Sequence, residues 1–299
     1  MPAPLLIADV PWLLYRAFFS LPKSIVGADG QPVNALLGTV NALLNLAEAT
    51  GPRAFVACMG AEEAAYRVGL YPPYHAHREE MPPELADQWG KAPALLEGLG
   101  WTFATSEDLE ADDVMFSFAR SESEAGGESL LLTGDRDLFG AVDDRVSMVE
   151  LRKGGTHGLI DPAEVRERYG VDPELVPDFI ALRGDPSDGL PGAPGIGAKT
   201  AAELLCRYGP LEDVLAAAQV AATTVRRRDD DMRPRTAAAL RENAELLLAF
   251  KQIATLVPID GISRPPDRPT DFAAGARVAR KLGMGGLATR LEGMANTSG

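Results

Sequence analysis

Residues 183–200 read RGDPSDGLPGAPGIGAKT. Asp185 and Asp188 stand three apart, a spacing that puts two carboxylates on one side of a helical turn. Pro191, Gly192, Pro194, Gly195 and Gly197 then interrupt any regular helix or strand. Lys199 and Thr200 follow, at the head of an alanine- and leucine-rich helical pattern. A Gly195-Ile196-Gly197 turn opening a helix aims backbone N–H groups at whatever lies before it, and phosphate suits that place. One arm of the stretch suits a metal, the other a nucleic-acid backbone.

Upstream of it, short apolar runs alternate with helical patterns, which predicts an α/β fold with a central, mostly parallel sheet and crossover helices. Residues 4–9 read as a buried strand ending at Asp9, and 53–59 as a second strand ending before Gly60. Residues 33–49 read as a helix with Ala35, Leu36, Val40, Leu43, Leu44 and Ala47 facing inward. A helix over 93–99, a strand over 101–104, a helix over 111–120 and a strand over 129–133 follow. In open sheets ligands lie beyond the carboxyl ends of the strands, and both Asp9 and Asp135 lie at such ends. Residues 67–85, RVGLYPPYHAHREEMPPEL, have no period and are long for a connector, which predicts a lid, arch or binding loop over about 66–85. From about residue 161 the pattern is helical. The segments expected are a core over 1–168, a helical region over 169–260 that packs on it, and an extension over 261–299 with frayed last residues. The block Arg226-Arg227-Arg228-Asp229-Asp230-Asp231 reads as a solvated loop.

The 299 residues, 46% hydrophobic and 24% charged, fit a soluble globular protein. No apolar run is long enough to span a bilayer, and the N-terminus, MPAPLLIAD, has no secretory pattern. Cys58 and Cys206 are too few and too far apart for a disulfide framework or a zinc site, which points to a reducing cytoplasm. Cys58 reads as packing, as do Trp12 and Phe18, and His157 as a loop residue. A net charge of −14 speaks against a general nucleic-acid binder.

The acids fall in groups: Asp9; Glu110, Asp112 and Asp113; Asp135 and Asp137; Asp185 and Asp188. Acids in a first helical turn are often capping groups that contribute roughly 0.3–1 kcal/mol. Here every group sits at a predicted strand end or helix start. If they converge, eight carboxylates facing one cavity cannot all stay ionised without cations. Hard divalent ions with oxygen ligands, Mg²⁺ or Mn²⁺, fit such a site, and setting these acids aside more than halves the excess of 14. Two ions about 3.5–4 Å apart are the usual apparatus for attack of water on a phosphodiester.

The order Asp9, Tyr15-Arg16-Ala17-Phe18-Phe19, Tyr74-x-x-x-Arg78, Glu110-Ala111-Asp112-Asp113, Thr133-Gly134-Asp135-Arg136-Asp137 and Gly184-Asp185-x-Ser187-Asp188-x-x-Pro191-Gly192-x-x-Gly195-Ile196-Gly197-x-Lys199-Thr200 resembles the bacterial 5′ nuclease family. That family includes the N-terminal domain of DNA polymerase I and the stand-alone flap endonucleases. The resemblance covers residues 4–260, and with no room for a polymerase the chain is similar to the stand-alone kind. It implies a PIN-like core, a helix-hairpin-helix DNA-binding region, and a metal-dependent 5′-3′ exonuclease and flap endonuclease of replication and repair. It also implies a bacterial, cytoplasmic, nucleoid-associated monomer acting on DNA with 5′ flaps, nicks or 5′ ends, without a stable protein partner. By position, Asp9, Glu110 and Asp112 match first-site metal ligands. Asp113, Asp135, Asp137, Asp185 and Asp188 match the rest of the cluster. Gly192, Gly195, Ile196, Gly197, Lys199 and Thr200 match the hairpin that grips the duplex, in this family often with K⁺. Arg78, Arg67 and Arg16 match basic residues near the scissile phosphate or the arch.

Three departures stand out. Gly60 occupies the place of an aspartate, with Glu62 and Glu63 nearby but out of register. His75 occupies that of a lysine after Tyr74, and Val10-Pro11-Trp12 replaces a glycine after Asp9. They leave two readings: an active two-metal nuclease, or a binder of branched DNA with weak or no cleavage in which Gly60→Asp would restore cutting.

Overall fold

The computed structural model describes residues 3–152, 156–223 and 232–297; the charge block at 226–231 lies outside them. Strand β1 (Leu5–Asp9) is buried along its whole length, as its run LLIAD requires of a strand covered on both faces. It lies inside a six-stranded sheet ordered β3-β2-β1-β4-β5-β6. β1, β2 (Ala54–Cys58), β3 (Thr102–Ala104), β4 (Ser129–Leu132) and β5 (Val146–Leu151) run parallel to one another, and β6 (His157–Ile160) closes the edge antiparallel to β5. Leu5 is in register with both Ala54 and Ser129, so β1, β2 and β4 end level. The chain leaves β1 toward β2 and β3, then returns to β4 on the other side. The resulting switch point opens above Asp9 and Thr133, where such sheets hold their ligands.

Alternation along the strands makes two cores. Leu5, Ile7, Val56 and Leu131 face one layer, built from α3 (Ala65–Leu70), α5 (Ala111–Glu124), α6 (Pro162–Tyr169), α7 (Val176–Arg183), α8 (Ala198–Tyr208), α9 (Leu211–Thr223), α10 (Pro234–Glu242) and α11 (Ala244–Ala254). Leu6, Ala8, Phe55 and Leu132 face the other, built from α1 (Val10–Ser20), α2 (Asn34–Thr50), α4 (Pro83–Gly98), α12 (Phe272–Lys281) and α13 (Gly285–Thr297).

Several expectations change. Helix α4 starts at Pro83, not at Pro93, which lies inside it. The break that proline invites is overridden because Leu85, Ala92, Leu95 and Leu96 all bury on one face. The aperiodic stretch is not a free arch throughout: α3 and the turns after it pack inward, with Tyr74 4% and His75 4% exposed. The extension is helical and packed, with Leu287, Ala288 and Leu291 of α13 buried; residues 298–299, the last of those expected to fray, lie outside the described residues. It is lashed to the head of β2 by Arg53, whose guanidinium pairs with buried Glu122 and with Asp267 at 2.8 Å, while Arg264 meets the same Glu122 at 3.0 Å. Among the described residues no helix is long and apolar enough to cross a membrane.

Candidate active site

The carboxyl ends of β1 and β4 and the start of α5 frame a cavity of about 790 Å³ lined by Asp9, Glu110, Asp112, Asp135, Asp137 and Asp185. Asp9 ends β1 and caps α1, accepting from the Trp12 amide at 2.9 Å and the Thr133 hydroxyl at 2.6 Å. Thr133 accepts in turn from the Asp135 amide at 3.0 Å, and Asp135 from the Asp137 amide at 3.0 Å. A TGDRD run thus folds into two nested turns that aim both aspartates inward. Asp185 accepts from the Ser187 amide at 2.9 Å and from Arg183 at 3.2 Å. Glu110 accepts from the Ala64 amide at 2.8 Å and the Tyr74 hydroxyl at 3.0 Å and forms an ion pair with Arg67 at 3.2 Å.

The electrostatics follow from this crowding. Burial raises Asp9, Asp112, Asp135 and Asp137 above the ordinary carboxyl range. The charges of Asp135, Asp9 and Glu110 add to the rise at Asp112, those of Asp135, Asp188 and Asp185 to that at Asp137. Asp135 is pushed up to about 7. Among the described residues no three His, Cys, Asp or Glu side chains close into a ligand cage as they stand. The donor chemistry fits a hard divalent cation nonetheless: oxygen ligands only, partly desolvated and mutually repelling, which a dication relieves.

Five expected residues lie outside the main cavity. Asp113 faces away, fully buried, and receives Arg67 at 2.9 Å on both oxygens and the Val257 amide at 2.8 Å. Arg67, itself 3% exposed, also donates to the Ile253 carbonyl at 3.0 Å, so neither faces the main cavity. Helical phase separates Asp113 from Asp112, since successive residues point about 100° apart. Arg16 lies outside the cavity lining, its guanidinium 5.7 Å from the Trp12 ring centroid. His75 is turned onto Asp188, with Nε2 at 3.1 Å from the carboxylate, its ring stacked 3.7 Å from Tyr74 and its Nδ1 without a partner among the described residues. Asp188 and His75 line a small recess behind the main cavity. Arg78 stays at the cavity wall, half-exposed, donating to the Glu62 carbonyl at 3.1 Å.

Gly60 is a close-contact position. A Cβ there would lie 2.5 Å from the Ala111 nitrogen and 2.6 Å from the Leu109 oxygen, so no side chain fits, and the expected rescue by Gly60→Asp has no room. Glu62 lines the cavity, whereas Glu63 does not. The change after Asp9 also has a partner: the Trp12 indole lies where a Cβ on Gly134 would be. Trp12 therefore packs against the second core on one side and lines the cavity on the other, as Tyr15 and Trp89 do, with Phe19 beside them. Their i, i+3, i+7 spacing along α1 was the available signal. Phe18 and Cys58 are core residues.

The hairpin after Asp188 is pinned at its base, where the backbones of Gly184 and Gly192 approach too closely for a side chain, both at positive φ. At its tip Gly195 has φ 78° and open space beyond it, and Gly197 begins α8 with open space as well. Ile196 is buried beneath them. Lys199 is 90% exposed on the first turn, and Thr200 follows it.

Residues 4–170 match the family described as 5′-3′ exonuclease, N-terminal resolvase-like domain, and residues 171–260 its C-terminal SAM fold. A 5′-3′ exonuclease of Streptomyces coelicolor is 38% identical over 309 residues, covering 96% of this chain and 98% of that protein. A 5′-3′ exonuclease of Mycobacterium tuberculosis is 34% identical over 319 residues, covering 98% of each. Among solved structures, the T5 5′-exonuclease with bound divalent zinc ions has a TM-score of 0.66 at 18% identity, with 96% of each chain covered. The catalytic core of Rad2 in complex with DNA substrate has a TM-score of 0.65 at 13% identity, covering 97% of this chain and 90% of that one. At such identities the structures speak for the fold, while the matched domains and the full-length relatives place this chain in the 5′-3′ exonuclease family.

Proposed function

We propose that the protein is a metal-dependent 5′ nuclease that hydrolyses DNA phosphodiesters as a 5′-3′ exonuclease and flap endonuclease. The observation that carries the reading is the convergence of Asp9, Glu110, Asp112, Asp135, Asp137 and Asp185 on one cavity, beside a glycine hairpin suited to a phosphate backbone. Asp9, Glu110 and Asp112 would hold a first Mg²⁺ or Mn²⁺, and Asp135, Asp137, Asp185 and Asp188 a second. Such ions, when bound, supply charge stabilisation at the phosphoryl oxygens and a more acidic water. Thr133, Ser187 and Tyr74 orient the carboxylates by hydrogen bonds, as outer groups do for metal ligands. Arg78 at the cavity wall offers the cation for the scissile phosphate. The turn Gly195-Ile196-Gly197 with Lys199 and Thr200 grips the duplex backbone without reading sequence, and K⁺ suits its carbonyls. The substrate is DNA with 5′ flaps, nicks or 5′ ends, handled by a monomer in the bacterial cytoplasm at the nucleoid, without a stable protein partner.

Asp113 and Arg67 have another part in this reading. Their ion pair sets the start of α5, and through it the aim of Glu110 and Asp112.

Two observations favour the second reading, a branched-DNA binder that cuts slowly. His75 occupies the Asp188 carboxylate and Gly60 leaves no carboxylate at the end of β2. A labelled 5′ flap incubated with excess protein and Mg²⁺ or Mn²⁺ separates the two. Cleavage near the flap junction is expected; binding without cleavage in either metal would leave only the second reading.

A further inference from the structure

Residues 261–299 lie beyond the matched nuclease domains and reverse the charge of the rest. They carry six Lys and Arg against three Asp and Glu, in a chain of net charge −14. Helix α12 exposes three of those cations, Arg277, Arg280 and Lys281. Arg280 pairs with Glu292 of α13 at 2.5 Å. Among the described residues Arg277 and Lys281 form neither ion pair nor hydrogen bond, although at i, i+4 they stand side by side and repel. The helix macrodipole favours Lys281, in the last turn, but not Arg277, one turn earlier. The three cations rim an open concavity of about 710 Å³, lined between them by Ala273, Ala276 and Ala295. Small residues there let a bulky anion come close to the charges. An unpaired, mutually repelling pair of cations over such a floor fits a polyanion better than it fits a role in folding.

Position decides which polyanion. Helix α12 packs on the far end of α4, where Val278 fills the space beside Gly98, while Met81 and Pro82 at the head of α4 line the acid cavity. From Pro82 to Gly98 the helix rises about 24 Å at 1.5 Å per residue. That is the length of about seven base pairs at roughly 3.4 Å each. The hairpin belongs to the layer on the other face of the sheet. A flapped substrate has two duplex arms that meet at the acids, so with one arm on the hairpin the other leaves over the layer of α1, α4 and α12. We propose that the basic face of α12 binds the sugar-phosphate backbone of this second arm, the one that does not carry the flap, about seven base pairs from the cut. The site rests on the reading of the protein as a nuclease of flapped DNA. It adds a contact that is blind to sequence and responds to the length of paired DNA behind the flap.

The test uses two flapped DNAs with the same flap and the same flap-bearing arm. They differ only in the other arm, a loop-closed stem of about four or about sixteen base pairs, shorter and longer than the span to α12. Titrated by fluorescence anisotropy in EDTA, so that nothing is cut, the native protein should bind the long-armed DNA about tenfold more tightly, with a salt dependence steeper by about two counterions. The double variant Arg277→Ala, Lys281→Ala should lose both differences while keeping its affinity for the short-armed DNA and its thermal unfolding. Equal affinity of the native protein for the two DNAs, or a gain that survives in the double variant, overturns the proposal. So does a labelled oligoglutamate that binds the native protein, fails to bind the double variant and is not displaced by the long-armed DNA, which would give the face to an acidic protein. A native protein that shows the gain yet cuts neither DNA in Mg²⁺ or Mn²⁺ supports the contact and sinks the nuclease reading. One that cuts both and shows no gain does the reverse, so the two fail separately.

Discussion

Asp135 illustrates how a carboxylate can be right for a metal and wrong for a metal-free fold. Burial, with the charges of Asp188, Asp9 and Asp185, lifts it from 3.8 to about 7. A group whose folded-state value is raised binds its proton more tightly folded than unfolded. Its stabilising contribution is therefore full below the unfolded value and is lost as pH rises through about 7. Asp112 and Asp137 are raised by the same cause and act in the same direction. Without divalent ions, calorimetry should thus find a lower Tm at about pH 8 than at about pH 6. Asp135→Asn should raise the alkaline Tm of the metal-free protein while reducing the stabilisation that Mg²⁺ confers; an unchanged alkaline Tm in that variant would refute the assignment. Gly60 gives the opposite lesson. Its sequence position marks a missing carboxylate, but only the backbone of residues 109–111 shows that the place is filled. Gly60→Asp should cost roughly 1–3 kcal/mol of stability by overpacking in urea titrations and should not increase flap cleavage.

Among the elements, α5 separates what the sequence could tell from what it could not. The run Glu110-Ala111-Asp112-Asp113 was legible as a group of acids at a helix start, and its place near Asp9 followed from the strand ends. That Asp112 faces the cavity while Asp113 faces Arg67 depends on helical phase and on a partner 46 residues away, which no local pattern encodes. The difference is measurable. Asp113→Asn breaks a buried ion pair and should cost roughly 3–5 kcal/mol, whereas Asp112→Asn, which removes a carboxylate that burial disfavours, should raise the alkaline unfolding midpoint in EDTA as Asp135→Asn does, and lose Mn²⁺ affinity by calorimetric titration. The central strands were legible for the same reason that they are buried, since continuous apolar runs such as LLIAD allow no other placement. Helix α4 was misjudged because Pro93 has a stronger local signal than the four leucines and alanines that carry the helix past it. The start of α1 was hidden by reading Val10-Pro11-Trp12 only as a departure, although a proline at the head of a helix is well placed.

At the scale of the whole molecule, the tail was the least legible part. Proline and glycine punctuation after Pro258 obscured two helices whose buried residues close the second core against α2 and α4. Leu291, 0% exposed there, should cost roughly 2–5 kcal/mol on replacement by alanine. A Tm lowered without loss of DNA affinity at room temperature would mark α13 as scaffold. The knot around Arg67 has a reach of another kind. One guanidinium holds Asp113 and Glu110 at the head of α5 and the Ile253 carbonyl near the end of α11, while Asp113 also takes the Val257 amide. The start of α5 at the acid-lined cavity and the end of α11 are therefore joined in a single opening unit. In hydrogen exchange the Val257 amide should be protected to the same free energy as the first turn of α5, and Arg67→Met should release both together.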